Sequence, residues 1–189
     1  MRRAPLIALV LFSGFAAAAA AQVGVATLTG ASEAPGPGDS DGFGIAGLRI
    51  EGTTISFTIM VQGIATPTAS HIHRGAAGVP GPVVVPLAFS FPNNVATGAA
   101  STTAALIDEI RQNPEGFYVN VHNADFPSGA IRGRITPGAF SVLNGANEAP
   151  VPGDTDGFGI AAFSGSGTTL NYAIVVQGIG TPTASHIHR

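Results

Sequence analysis

Ile55, Phe57, Ile59 and Val61 alternate with Ser56, Thr58, Met60 and Gln62. A period of two places the first set on one face of a half-buried strand, with that set inward. Leu170, Tyr172, Ile174 and Val176 repeat the pattern later in the chain. Ile45 to Ile50 reads as the preceding strand, and Glu51-Gly52-Thr53 as the turn between the two, where glycine supplies unusual backbone angles. Val83 to Val85 is a short apolar strand. Phe117, Val119 and Val121 alternate with Tyr118, Asn120 and His122, and Ile131 and Ile135 with Arg132 and Arg134. One segment has helical spacing: Leu106, Ile107 and Ile110 share a face, Ser101, Thr102 or Thr103 can cap its start, and Asn113-Pro114 ends it. Short strands with Gly/Pro turns and one short helix predict an all-β, antiparallel, Greek-key-like sandwich.

The pattern occurs twice. Residues 30–74 and 145–189 align without a gap at a constant offset of 115, with 31 of 45 positions identical. Thr66-Pro-Thr-Ala-Ser-His-Ile-His-Arg74 returns letter for letter at Thr181–Arg189. That is a duplicated domain. A complete copy is expected over 23–136, Pro137-Gly138 as the joint, and an incomplete second copy over 139–189. The second copy stops at His186-x-His188, before any counterpart of the helix, of His122 or of the last two strands. It is expected to pack poorly alone and to make the chain a fragment of a two-domain protein. Its unpaired edge is a route to self-association.

Met1-Arg2-Arg3, the apolar stretch Leu6–Leu11 and the alanine run Ala16–Ala21 have the order of a secretory signal peptide over 1–21, cut near Ala21. The expected location is secreted or periplasmic, with no membrane association after cleavage. The chain has no cysteine, so the fold must rest on a packed core, and a metal site must use His, Asp or Glu. All eight basic residues are arginines, scattered against a net charge of −3, which argues against a nucleic-acid partner.

Three motifs in order resemble those of CHRD domains, named after chordin: Leu28-Thr-Gly-Ala-Ser-Glu-Ala-Pro35; Ser70-His-Ile-His-Arg-Gly75 with Gly78 and Gly81-Pro-Val83; and Asn113-Pro-Glu-Gly-Phe-Tyr-Val-Asn-Val-His122 with Pro127-Ser-Gly-Ala-Ile-Arg-Gly133. The resemblance is to bacterial, exported members. Ala130 stands where the family usually has an acidic residue. The resemblance implies a non-enzymatic binding module for a protein or surface ligand, since chordin is a secreted antagonist of bone morphogenetic proteins. The domain is also similar in pattern to copper–zinc superoxide dismutase. There, a His-x-His strand and a later histidine on a Val-His strand supply copper ligands, and the matching positions are His71, His73 and His122.

The residues themselves leave two readings of these histidines open. His71 and His73, two apart on a strand, face one side, and with His122 they can ligate one ion such as copper. Asp125 would be a fourth ligand or an acceptor behind His122. Alternatively the rings are polar struts, bonded to backbone carbonyls with Ser70, Asn120 and Asn123 as neighbours. No histidine lies between Gly75 and Phe117, so a second metal has no imidazole ligands there, and redox catalysis is not expected. Asp39-Ser-Asp-Gly42 and Asp154-Thr-Asp-Gly157 lack the remaining ligands of a calcium loop and read as Asx-type turns with glycine at positive φ. Glu33 and Glu148 have no visible partner carboxylate, Arg132 and Arg134 read as solvated charges guarding an edge strand, and Ser101–Thr103 is a cap, not a nucleophile.

Overall fold

The computed structural model describes residues 22–188; the expected signal peptide lies outside them. The first copy contains β1 (Gln22–Thr29), β2 (Phe43–Glu51), β3 (Thr54–Gln62), β4 (Pro67–Arg74), β5 (Val83–Pro86), β6 (Val95–Ser101), α1 (Ala104–Gln112), β7 (Phe117–Asn123), β8 (Ile131–Arg134) and β9 (Thr136–Pro137). The second contains β10 (Ala139–Asn144), β11 (Phe158–Ser166) and β12 (Thr169–Gln177). The fold is all-β and antiparallel, with one α-helix among the described residues.

In the first copy the strands run β5-β4-β7-β8-β1-β2-β3-β6, with β9 beside β1. The chain makes the meander β1-β2-β3, crosses to the other half at β4, and returns through β8 to lie beside β1. The sheet closes over itself, so that Ile72, Val119, Val121 and Ile131 meet Leu48, Ile55, Phe57 and Ile59 in one core. Every residue of this core lies between Ala26 and Ile135. The sandwich therefore closes without help from the second copy.

The helix forms as its signals dictate. Thr103 Oγ1 accepts from the Leu106 N–H at 3.2 Å, and Ile107 and Ile110 are buried against the core. Arg74, at the end of β4, donates through Nε and Nη2 to the Glu109 carboxylate at 2.8 and 2.6 Å, which ties the helix to the histidine-bearing strand. Gly52 turns β2 into β3 at φ 57°, and Gly167 does the same between β11 and β12 at 59°. Gly42 is different. It has no positive φ, and it is small because a Cβ there would come within 2.6 Å of Ile131 and Ile64. The turn it closes is held by its N–H donating to the Asp39 carbonyl at 3.2 Å.

Two expectations about exposure are reversed. The alternate face of β3 is covered in part: Met60 is fully buried and Thr58 nearly so, because the β10-β11-β12 sheet lies there, while Ser56 and Gln62 stay exposed. In the second copy the apolar set faces out, with Leu170 52% and Tyr172 69% exposed, while Ile160 and Val175 on the other side are buried. In the first copy the equivalent set is covered by β4, β7 and β8. Residues 139–188 contain no counterpart of β7 or β8, and 181–188 form no strand.

Candidate functional site: a loop-covered histidine face

β4 and β7 each send one set of residues into the core and the other set outward. Ile72, Val119 and Val121 go in, and His71, His73, Tyr118, Asn120 and His122 go out. Across the ladders His73 lies opposite Tyr118, His71 opposite Asn120, and Asn120 opposite Arg132 of β8. Loops cover this polar face. The Val79–Gly81 loop closes over it from one side and the Ser32–Glu33 turn from another.

The three histidines converge. One ligand-capable nitrogen from each of His71, His73 and His122 lies within 4.8 Å of the others. His73 Nδ1 is 2.9 Å from the Gly81 carbonyl and His122 Nδ1 is 3.2 Å from the Pro127 carbonyl. A carbonyl only accepts, so each Nδ1 carries the proton and each Nε2 presents its lone pair. His122 Nε2 meets His71 Nδ1 at 3.1 Å, while His73 Nε2 is buried with no partner. The same two carbonyl contacts serve both readings of the sequence. They are struts, and they are also the outer contacts that fix a ligating imidazole's tautomer. Burial, with the neighbouring His122 and His73, pushes His71 down to about 4. Burial likewise lowers His73 and His122. All three rings are thus neutral near pH 7, the state that binds metal.

Several assignments are corrected. Asp125 is exposed and lies outside the histidine group; the Pro127 carbonyl takes the place behind His122. Ser70 points into the core side and bonds Ala88, and Asn123 accepts from the Phe126 N–H at 2.7 Å, so neither supports a histidine. Arg132 is not a solvated edge charge. β8 lies between β7 and β1, and Arg132 is only 4% exposed. Its guanidinium stacks on Tyr118 at 4.7 Å and donates through Nε to the Ser32 carbonyl. Tyr118 in turn stacks on His73 at 4.9 Å and accepts from the Gly81 N–H at 3.0 Å. Arg134 is exposed, beside Glu115.

Glu33, without a visible partner in the sequence, sits at this face beside Arg132 and Asn120. Burial raises it to about 7, against the opposing pull of Arg132, the Ala34 backbone and Asn120. Its Oε1 and Asn120 Oδ1 are buried without partners. Because the folded value lies above the usual 4.5, the stability Glu33 contributes is complete below pH 4.5 and lost as pH rises through 7. Glu33→Gln, which cannot ionise, is therefore expected to be neutral at pH 4.5 and stabilising by about 1 kcal/mol at pH 8.5, after allowance for a half-exposed carboxyl. Urea unfolding at the two pH values checks this; an equal effect at both would refute it.

The alternation on β7 already put Tyr118 and Asn120 on the His122 face. Nothing local could bring Glu33 there, because it arrives on a turn about a hundred residues from Arg132. In the second copy His186 and His188 are exposed, and no third histidine joins them among the described residues. Beside the covered face, the Glu33–Pro37 and Asp125–Gly129 segments wall a shallow groove of about 320 Å³.

A closed antiparallel sandwich with a histidine cluster under loops defines the class. The CHRD domain model matches residues 25–135 and again 139–189, and the chain belongs to that family. No curated protein and no solved structure matches the chain.

Proposed function

We propose that this CHRD protein is an exported, non-enzymatic binding module whose first domain engages a protein or surface ligand. The observation that carries this reading is the groove between the Glu33–Pro37 and Asp125–Gly129 segments. Pro35, Pro37, Phe126 and Pro127 give it apolar walls, and Glu33 lines it beside the polar face. Proline-rich apolar walls with a few polar groups suit ligand recognition. Gly36 lines this groove and a Cβ there meets nothing within 4 Å, so Gly36→Trp places an indole at the groove without a clash at its Cβ. Chemical cross-linking in the producing cells is expected to join the parent chain to a partner, unaffected by chelator, and to fail with Gly36→Trp. Equal cross-linking of both chains would end this reading.

A second reading has its own observation: the buried, unpartnered Nε2 of His73 beside two further imidazoles. Such a donor set fits copper, which prefers nitrogen ligands among first-row divalent ions. His71, His73 and His122 would hold the ion, and its chemistry there would be ligation by neutral imidazoles. The Gly81 and Pro127 carbonyls would keep two of the rings aimed. Calorimetry with Cu(II) and Cu(I) on the metal-free chain tests this. Each of His71→Ala, His73→Ala and His122→Ala is expected to weaken binding at least 10–100-fold, the loss associated with merely disturbing a ligand's support. Unchanged affinity in all three variants would reject the metal and leave the strut.

A further inference from the structure

The two copies meet through the same surface. Val25, Ile45 and Met60 of the first copy form one apolar cluster with Phe140, Ile160 and Val175 of the second. At the constant offset of 115 these are the same three positions of the repeat. At the polar margin the donors correspond, although their acceptors do not. Gln62 donates through Nε2 to the Val176 carbonyl at 2.7 Å, and its equivalent Gln177 donates to the Asn93 carbonyl at 2.8 Å. Phe140 sits over Gly47, where a Cβ would come within 2.5 Å of its ring.

An interface in which both partners offer one patch is isologous, the arrangement of a two-fold dimer. Here it is reached inside one chain, with Gly138 alone between β9 and β10. So short a connection holds the second copy near the first at an effective concentration in the millimolar range. Even a modest interface stays closed under those conditions. The cluster is separate from the larger core, so opening it leaves the first sandwich intact.

We infer that the outer face of β1-β2-β3 is a self-pairing surface of this domain, and that when the second copy is undocked its partner is the same face of a second copy of this chain. This is face-to-face pairing; it does not use the strand edge of the second copy. It is independent of the groove and of the histidines.

The test uses the full chain. Phe140→Asp with Ile160→Asp places two charges in the interface and releases the second copy, exposing the face of the first. Sedimentation equilibrium up to about 0.5 mM, near the effective concentration of a short linker, is expected to show twice the mass of the parent. Adding Ile45→Asp is expected to return the mass to that of the parent. Met60→Asp in place of Ile45→Asp gives the same outcome by an independent route if the first triple variant does not fold, which circular dichroism reports. No gain in mass on release would overturn the inference. So would a gain that persists in the triple variants, because assembly would then use another surface.

Discussion

Arg132→Ala is expected to lower the unfolding free energy by about 3 kcal/mol, because it breaks a buried charge arrangement by removing one partner. Arg132 is 4% exposed, and its guanidinium does three things at once. It lies over Tyr118 at 4.7 Å, bonds the Ser32 carbonyl, and is the positive charge that draws Glu33 downward. Alanine leaves the Ser32 carbonyl without that donor, an empty slot above Tyr118, and a half-buried carboxyl with no cation beside it. The carboxyl of Glu33 should then rise above 7. Arg132→Lys keeps the charge but not the planar stack or the fork of donors, and should fall between the two. Adding Glu33→Gln to Arg132→Ala should recover part of the loss, since no lone charge remains to be buried. Urea unfolding of the four chains at pH 8 measures this. If Arg132→Ala costs no more than an exposed arginine, within about 0.5 kcal/mol, the buried network is not stabilising.

The second large effect is expected at Gly81. A Cβ there would lie 1.7 Å from the Arg74 carbonyl oxygen, a backbone atom that cannot swing aside. Gly81 also positions the site twice over. Its carbonyl takes the His73 Nδ1 proton at 2.9 Å, and its N–H donates to the Tyr118 hydroxyl at 3.0 Å. Gly81→Ala should force the loop off β4 and cost about 3 kcal/mol, at the upper end for overpacking. If the histidines hold copper, it should also weaken that binding about 10–100-fold by freeing the His73 ring. Gly165→Ala is the control, because a Cβ there meets nothing within 4 Å. Melting temperature and Cu(II) calorimetry report the two parts separately. An unshifted melt for Gly81→Ala would show that the loop can move without penalty.

The local structure was legible because it is local. Thr103 caps the helix and Pro114 follows its end, and both needs are met within a few residues. Gly52 and Gly167 take nearly the same φ in the two copies because the same Gly-Thr-Thr joins two paired antiparallel strands in each. The alternation in β4 and β7 also placed His71, His73 and His122 correctly, since a period of two fixes which side chains share a face. That the histidines lie together needed one further fact, the pairing of β4 with β7, which their motif resemblance implied and the sheet order supplies.

Other features belong to the tertiary structure alone. Arg132 reads as an edge charge until β8 is found between β7 and β1, where a loop from the far end of the domain closes over it. Glu33 has no neighbour in sequence that explains it; a carboxyl near 7 arises only when the fold removes its water and sets Arg132 and Asn120 beside it. The clearest case is the repeat itself. Phe57 and Tyr172 occupy the same position of the repeat in the same apolar alternation, yet one is buried in the core and the other is 69% exposed. The pattern of each strand says that it has an apolar face. Which face is covered depends on what packs against it, and hydrophobic burial, being non-directional, follows the partner that is present. For the first copy that partner is its own second half. For residues 139–188 it is the outer face of the first copy, and the sequence determined the two faces while the packing chose between them.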